Sequence, residues 1–121
     1  MPTRPFYNPW TKNKYNANRT EYNGVMYASK REATKAQELD LLKKAGEVLE
    51  WVPHPIYYVL PRFYKFKKKY QGIKYIPDFW IKWKDGREEL IDIKGFATPL
   101  FKIKEKMFNY RFPDLKLTIE K

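Results

Sequence analysis

The stretch Ile76-Pro-Asp-Phe-Trp-Ile-Lys-Trp-Lys-Asp-Gly-Arg-Glu-Glu-Leu-Ile-Asp-Ile-Lys-Gly95 decides how this chain folds. It contains two apolar, β-forming runs joined by a hairpin signal, Lys84-Asp85-Gly86-Arg87. Asp78 opens the first run. Asp92 and Lys94 close the second, two residues apart, so strand alternation puts both on one face. Charge set among Ile and Leu is costly unless it is paired or binds a metal, so the pattern points to a site that holds a divalent cation beside an amine. For Asp-x-Lys taken alone, a structural ion pair at a strand end is the simpler account. The second acid, Asp78, on the neighbouring run is what favours a site.

Pairing register tests this on the sequence itself. A strict two-residue loop at Asp85-Gly86 pairs 84 with 87 and sends the two acids to opposite faces. A three-residue loop or one bulge shifts the pairing by one. Asp78 then lies opposite Lys94, while Phe79, Ile81 and Trp83 lie opposite Ile93, Ile91 and Glu89. That register gathers the apolar residues on one face and the acids on the other, so the core demands the pairing that the site needs.

A chain of 121 residues supports one domain with a single modest core, and an aromatic content of 18% implies that Phe, Tyr and Trp fill much of it. There is no cysteine, His54 is the sole histidine and Ser29 the sole serine. Disulfides and thiolate zinc sites are thereby excluded, and a His-rich metal site or a Ser-His-Asp triad has almost nothing to be built from, which leaves carboxylates and lysines for polar chemistry. A net charge of +11 calls for a polyanionic partner. Basic and aromatic residues interleave in Arg62-Phe-Tyr-Lys-Phe-Lys-Lys-Lys-Tyr70, which suits phosphate contact by Arg62, Lys65, Lys67, Lys68 and Lys69 with base stacking beside them. An exposed hairpin with a solvated charged edge accounts for that segment equally well. No apolar stretch approaches transmembrane length and the N-terminus lacks a signal-peptide core, so a soluble intracellular protein with no membrane partner is expected.

Along the chain, residues 1–26 read as a polar N-terminal arm with a turn at Asn23-Gly24 between two short strands. A helix starts at Ser29, where Ser29-Lys-Arg-Glu32 forms a capping box, and Gly46 stops it. A strand follows over 47–52, then an apolar run over 56–60, the two strand runs above, a second helix over 99–110 begun by Pro99, and a last strand over 115–119. The order is helix, strand, strand, strand, helix, strand, an α/β (α+β) domain with helices packed on a sheet. Glu32 is fully explained as a cap residue. It also leans toward the apolar stripe of Ala36 and Leu39, from which it could approach the acids on the sheet. Lys102, Lys104 and Lys106 on the second helix form either a solvated face or a row of phosphate contacts.

Tyr27-Ala-Ser-Lys-Arg-Glu-Ala33, Glu38-Leu-x-Leu-Leu-x-x-Ala-Gly46, Trp51, Tyr75-Ile-Pro-Asp-Phe79, Asp85-Gly86 and Ile91-Asp-Ile-Lys-Gly95 together resemble a family of small, mostly phage-encoded proteins in the PD-(D/E)XK nuclease superfamily. The resemblance runs from about Tyr27 to the C-terminus, so residues 27–121 would form the nuclease domain. It implies a restriction-endonuclease-like αβββαβ core around a mixed sheet. It also implies Asp78 and Asp92 as metal-binding acids, the Ile93 carbonyl as a further ligand, Lys94 as the catalytic lysine and Glu32 as the helix acid completing the site. Asp92 stands where Glu is often found, which shortens that arm by one methylene. The cofactor implied is Mg²⁺ or Mn²⁺, and the activity is a DNA endonuclease acting on branched or other structured DNA, as Holliday-junction resolvases do. Lys30, Arg31 and the lysines of the second helix would contact the DNA backbone, symmetric cutting would call for a homodimer, and the compartment would be the host cytoplasm. The rival from another class is a non-catalytic basic nucleic-acid-binding module whose acids brace the sheet.

Overall fold

Turn chemistry and apolar periodicity place the elements almost where the sequence puts them. The computed structural model describes residues 4–6 and 19–121; residues 1–3 and 7–18, the bulk of the expected arm, lie outside the described residues. Strands β1 (Thr20–Tyr22) and β2 (Val25–Tyr27) pair about Asn23-Gly24, both at positive φ, the left-handed geometry that tight hairpins use. Helix α1 (Lys30–Lys44) starts at Ser29, whose side chain accepts the Glu32 N–H. It ends in a Schellman motif: Gly46, at φ 84°, donates to the Lys43 carbonyl and Glu47 to that of Leu42. Tyr22 and Val25 pack against the α1 core, so the hairpin at 20–27 is joined to the body of the fold.

Strand β3 (Val48–Pro53) leads through β4 (Tyr57–Leu60), β5 (Phe63–Lys65), β6 (Lys68–Tyr70) and β7 (Ile73–Tyr75) into β8 (Phe79–Trp83) and β9 (Glu88–Ile93). Helix α2 (Pro99–Arg111), capped by Thr98, then carries the chain to β10 (Lys116–Glu120). The central sheet runs β10-β9-β8-β3, with β10 parallel to β9 and the other pairs antiparallel. A parallel neighbour needs a long crossover, and α2 supplies it. Elements α1, β3, β8, β9, α2 and β10 thus reproduce the expected order in a mixed α/β fold. Between β3 and β8 the chain adds two hairpin-like pairs, β4 with β7 and β5 with β6.

The β8–β9 register corrects the expected one in detail. The loop has three residues, 84–86, with Gly86 at φ 89°, but the added residue comes from the β8 side. Phe79 pairs with Ile91 and Ile81 with Glu89, each partner two residues from the one expected. A shift of two keeps every side chain on its face. Phe79, Ile81 and Ile91 therefore pack with Ala33, Ala36 and Leu39 under α1, as the core argument requires. Trp80 and Leu90 face the other way, into a second cluster with Phe101 and Phe108 of α2. The single core expected is thus divided by the sheet into two, and the acids sit at one end of the α2 face. No helix among the described residues is long and apolar enough to cross a membrane.

Candidate metal centre

Strand directions bring the expected residues to one edge of the sheet. Because β8 runs against both β3 and β9 while β10 follows β9, the start of β8 meets the ends of the other three strands. Asp78, His54, Lys94 and Glu120 converge there, and the first turn of α1 adds Glu32. The regular ladder stops at Phe79. Beyond it Asp78 donates its N–H to the Ile91 carbonyl, receives the His54 N–H on its own carbonyl, and accepts the Ile93 N–H on Oδ2 at 2.6 Å.

Asp92 is 2% exposed and accepts a hydrogen bond from the Tyr75 hydroxyl on Oδ2. Lys94 stands on its other oxygen, with Nζ 3.7 Å from Oδ1 and 4.7 Å from the Phe101 ring centroid. Burial pushes the Asp78 carboxyl well above the usual range, and the nearby charges of Glu32 and Asp92 push it further. Burial also raises Asp92, against the opposing effects of the Tyr75 hydrogen bond and the Lys94 charge. Glu32 is buried at 8% exposure; its carboxylate receives the Ser29 hydroxyl at 3.4 Å and lies 3.9 Å from His54 Nε2.

The residues fit a divalent cation by their chemistry. The available donors are carboxylate oxygens, hard ligands suited to Mg²⁺ or Mn²⁺, and one lysine does not balance three acids. Among the described residues no three carboxylate or imidazole groups stand grouped closely enough to hold an ion by themselves. Asp78 and Asp92 would be the direct holders, and water would complete the shell.

Two clefts that carry lysines flank these acids. One, of about 310 Å³, is lined on the α1 side by Lys30, Arg31 and Lys35 together with Glu38, Glu120 and Ile93. The other, of about 390 Å³, is lined by Lys74, Tyr75, Lys94 and Lys104 on the α2 side. Lys30, Arg31 and Lys104 are therefore placed beside the site. Lys102 and Lys106 are exposed on the outer side of α2, so the three α2 lysines do not share one face. Arg62 lines a separate cleft with Tyr58 and Gly72, and Lys65, Lys67, Lys68 and Lys69 lie on the exposed β5–β6 hairpin.

Sequence reasoning missed Tyr75, His54, Lys35 and Glu120. Tyr75 and Asp92 lie 17 positions apart, and no local pattern links them. Lys35 pairs with Glu120 at 3.2 Å across 85 positions, while the Glu120 carbonyl takes the Lys94 N–H at 2.8 Å. His54 carried one legible hint, a lone imidazole held between two prolines.

The family model described as Protein of unknown function (DUF1064) matches residues 12–121. None of the curated proteins matches the chain.

Proposed function

We propose that this chain, which belongs to the DUF1064 family, is a metal-dependent endonuclease that hydrolyses phosphodiester bonds in branched or otherwise structured DNA. One arrangement supports this above all: Asp78, Asp92 and Lys94 meet at a single sheet edge, with Glu32 beside them and a lysine-lined cleft on either side. The αβββαβ order and the Pro77-Asp78 and Asp92-Ile-Lys94 motifs, which resemble the PD-(D/E)XK superfamily, point the same way.

The carboxylates of Asp78 and Asp92, with the Ile93 carbonyl, would hold Mg²⁺ or Mn²⁺. Bound there, the ion would supply Lewis acidity, making a water more acidic and offsetting charge on the phosphate. Tyr75 fixes the rotamer of Asp92 through its hydroxyl. Lys94, one third exposed at its side chain, can turn from Asp92 toward the scissile phosphate and donate to the oxygen on which charge develops. Glu32 supplies a further negative charge for ordering water. Lys30 and Arg31 on one side, and Lys74 and Lys104 on the other, hold the phosphates flanking the cut. Cutting two strands symmetrically would take a second copy of the chain.

The deciding experiment offers linear, nicked, flapped and four-way DNA to the purified protein with Mg²⁺ or Mn²⁺. Cutting that stops in EDTA and is lost in Asp92→Ala is expected. Binding without cutting on every substrate would instead identify a nucleic-acid-binding module whose acids brace the sheet.

A further inference from the structure

The β5–β6 hairpin is built against the ordinary rules of its turn. Phe66 and Lys67 occupy the two loop positions at φ 48° and 64°, the geometry of a type I′ turn that Asn-Gly fills with least strain. A bulky residue at positive φ is uncommon and costly. Phe66 gains no core packing in exchange, since it is 92% exposed, with Lys65 Nζ 5.7 Å from its ring centroid. The base of the hairpin has its own support in the parallel stack of Phe63 on Tyr70, centroids 4.8 Å apart. Neither folding nor solubility accounts for an apolar ring at this tip.

Its surroundings say what would cover it. Between Glu50 and Asp78 the chain carries no acidic residue, while Arg62, Lys65, Lys67, Lys68 and Lys69 flank Phe66 in the sequence and Lys65 Nζ stands over its ring. A two-stranded ribbon fits the major groove of a duplex, and apolar side chains act as wedges where base pairs unstack. We propose that this hairpin is a DNA-reading ribbon in which the lysines hold the backbone and Phe66 inserts at an interruption of the base stack, such as a nick or branch point. This rests on the endonuclease reading only for its consequence: the ribbon selects the DNA that the acidic edge then cuts. Tyr75 lies nine positions after Phe66, a reach of at most about 30 Å at roughly 3.3 Å per residue. The cut should therefore lie within about nine base pairs of the interruption at the 3.4 Å spacing of bases along a strand.

The test measures binding in EDTA, so that it is independent of cutting. Wild type is titrated with a nicked duplex carrying 2-aminopurine beside the nick, and with the same duplex sealed. Wild type should prefer the nicked duplex by about tenfold, in line with one stacking contact, and raise the probe's fluorescence. Phe66→Asn, which suits the turn and should melt no lower than wild type, should lose both the preference and the signal. Phe66→Trp should keep them. Retention of the preference in Phe66→Asn, or an equal loss on both duplexes, overturns the proposal. So does a Phe66-dependent binding to anionic vesicles with DNA binding unchanged, which would make the tip a membrane anchor. A protein that shows this preference but never cuts would refute the endonuclease and leave the ribbon standing.

Discussion

Asp78 acts as a backbone acceptor for Ile93: where the β8–β9 ladder ends, its Oδ2 receives the Ile93 N–H at 2.6 Å. One role of this carboxyl is to hold β9 in place; the other, proposed above, is to hold a ligand together with Asp92, whose carboxyl it hydrogen-bonds. Asn can keep the first role and Ala can keep neither. Asp78→Asn should therefore fold and lose cutting. Asp78→Ala should also lose about 1–3 kcal/mol of stability from the unsatisfied amide. Thermal denaturation separates the two; equal melting temperatures would mean that the hydrogen bond contributes nothing.

Raised carboxyls make a pH signature. Asp78 and Asp92 bind protons more tightly in the folded chain than in the unfolded one, mainly because burial disfavours their charge. Their contribution to stability is thus best when both are protonated, and it declines as pH rises from the ordinary carboxylate range through the raised values. In EDTA, Asp78→Asn should remove much of that decline and melt above wild type at neutral pH. Mg²⁺ should stabilise wild type increasingly as pH rises, since its ligands must be deprotonated. A wild-type melting profile that Mg²⁺ leaves unchanged across this range would contradict the metal site.

Glu32 separates capping from chemistry. Ser29 already caps α1 by accepting the Glu32 N–H, and the Glu32 carboxylate faces His54 and raises Asp78. Glu32→Gln retains capping ability and loses only the charge. Helix content by circular dichroism should stay within error of wild type while cutting falls at least tenfold. Full activity in Glu32→Gln would return the residue to the cap.

The parts of this protein that were legible in its sequence are those written at short range. Ser29 and Gly46 bound α1, Pro99 starts α2, and period-two alternation puts Asp78 and Asp92 on one face even though the partner of each residue is two positions from the one expected. That error was harmless because the face repeats every second residue. What stayed hidden depends on long-range closure. Tyr75 reaches Asp92 only because β4 and β7 pair outside the central sheet, and Glu120 joins the edge only because β10 runs parallel to β9. The split of the α2 lysines follows from helix geometry. Residues at spacing two cannot share a face, so Lys104 turns to the cleft while Lys102 and Lys106 do not.

Asp92, Tyr75 and Lys94 should fail in three different ways, and their pattern decides whether the edge is a catalytic centre. Asp92→Asn removes a ligand charge and should abolish both cutting and the stabilisation by Mn²⁺. Tyr75→Phe leaves the carboxylate but frees its rotamer, so metal affinity should drop about ten- to hundredfold, with activity recovering at high metal. Lys94→Ala spares the ligands and leaves Phe101 to pack on its own. Mn²⁺ binding should persist while the chemical step slows by roughly a hundred- to a thousandfold, the usual cost of losing one donor to developing charge. Single-turnover cutting and Mn²⁺ titration calorimetry read the two quantities separately. If all three variants cut as fast as wild type, Asp92 and Lys94 form a structural ion pair at the end of β9, and the chain's chemistry lies elsewhere.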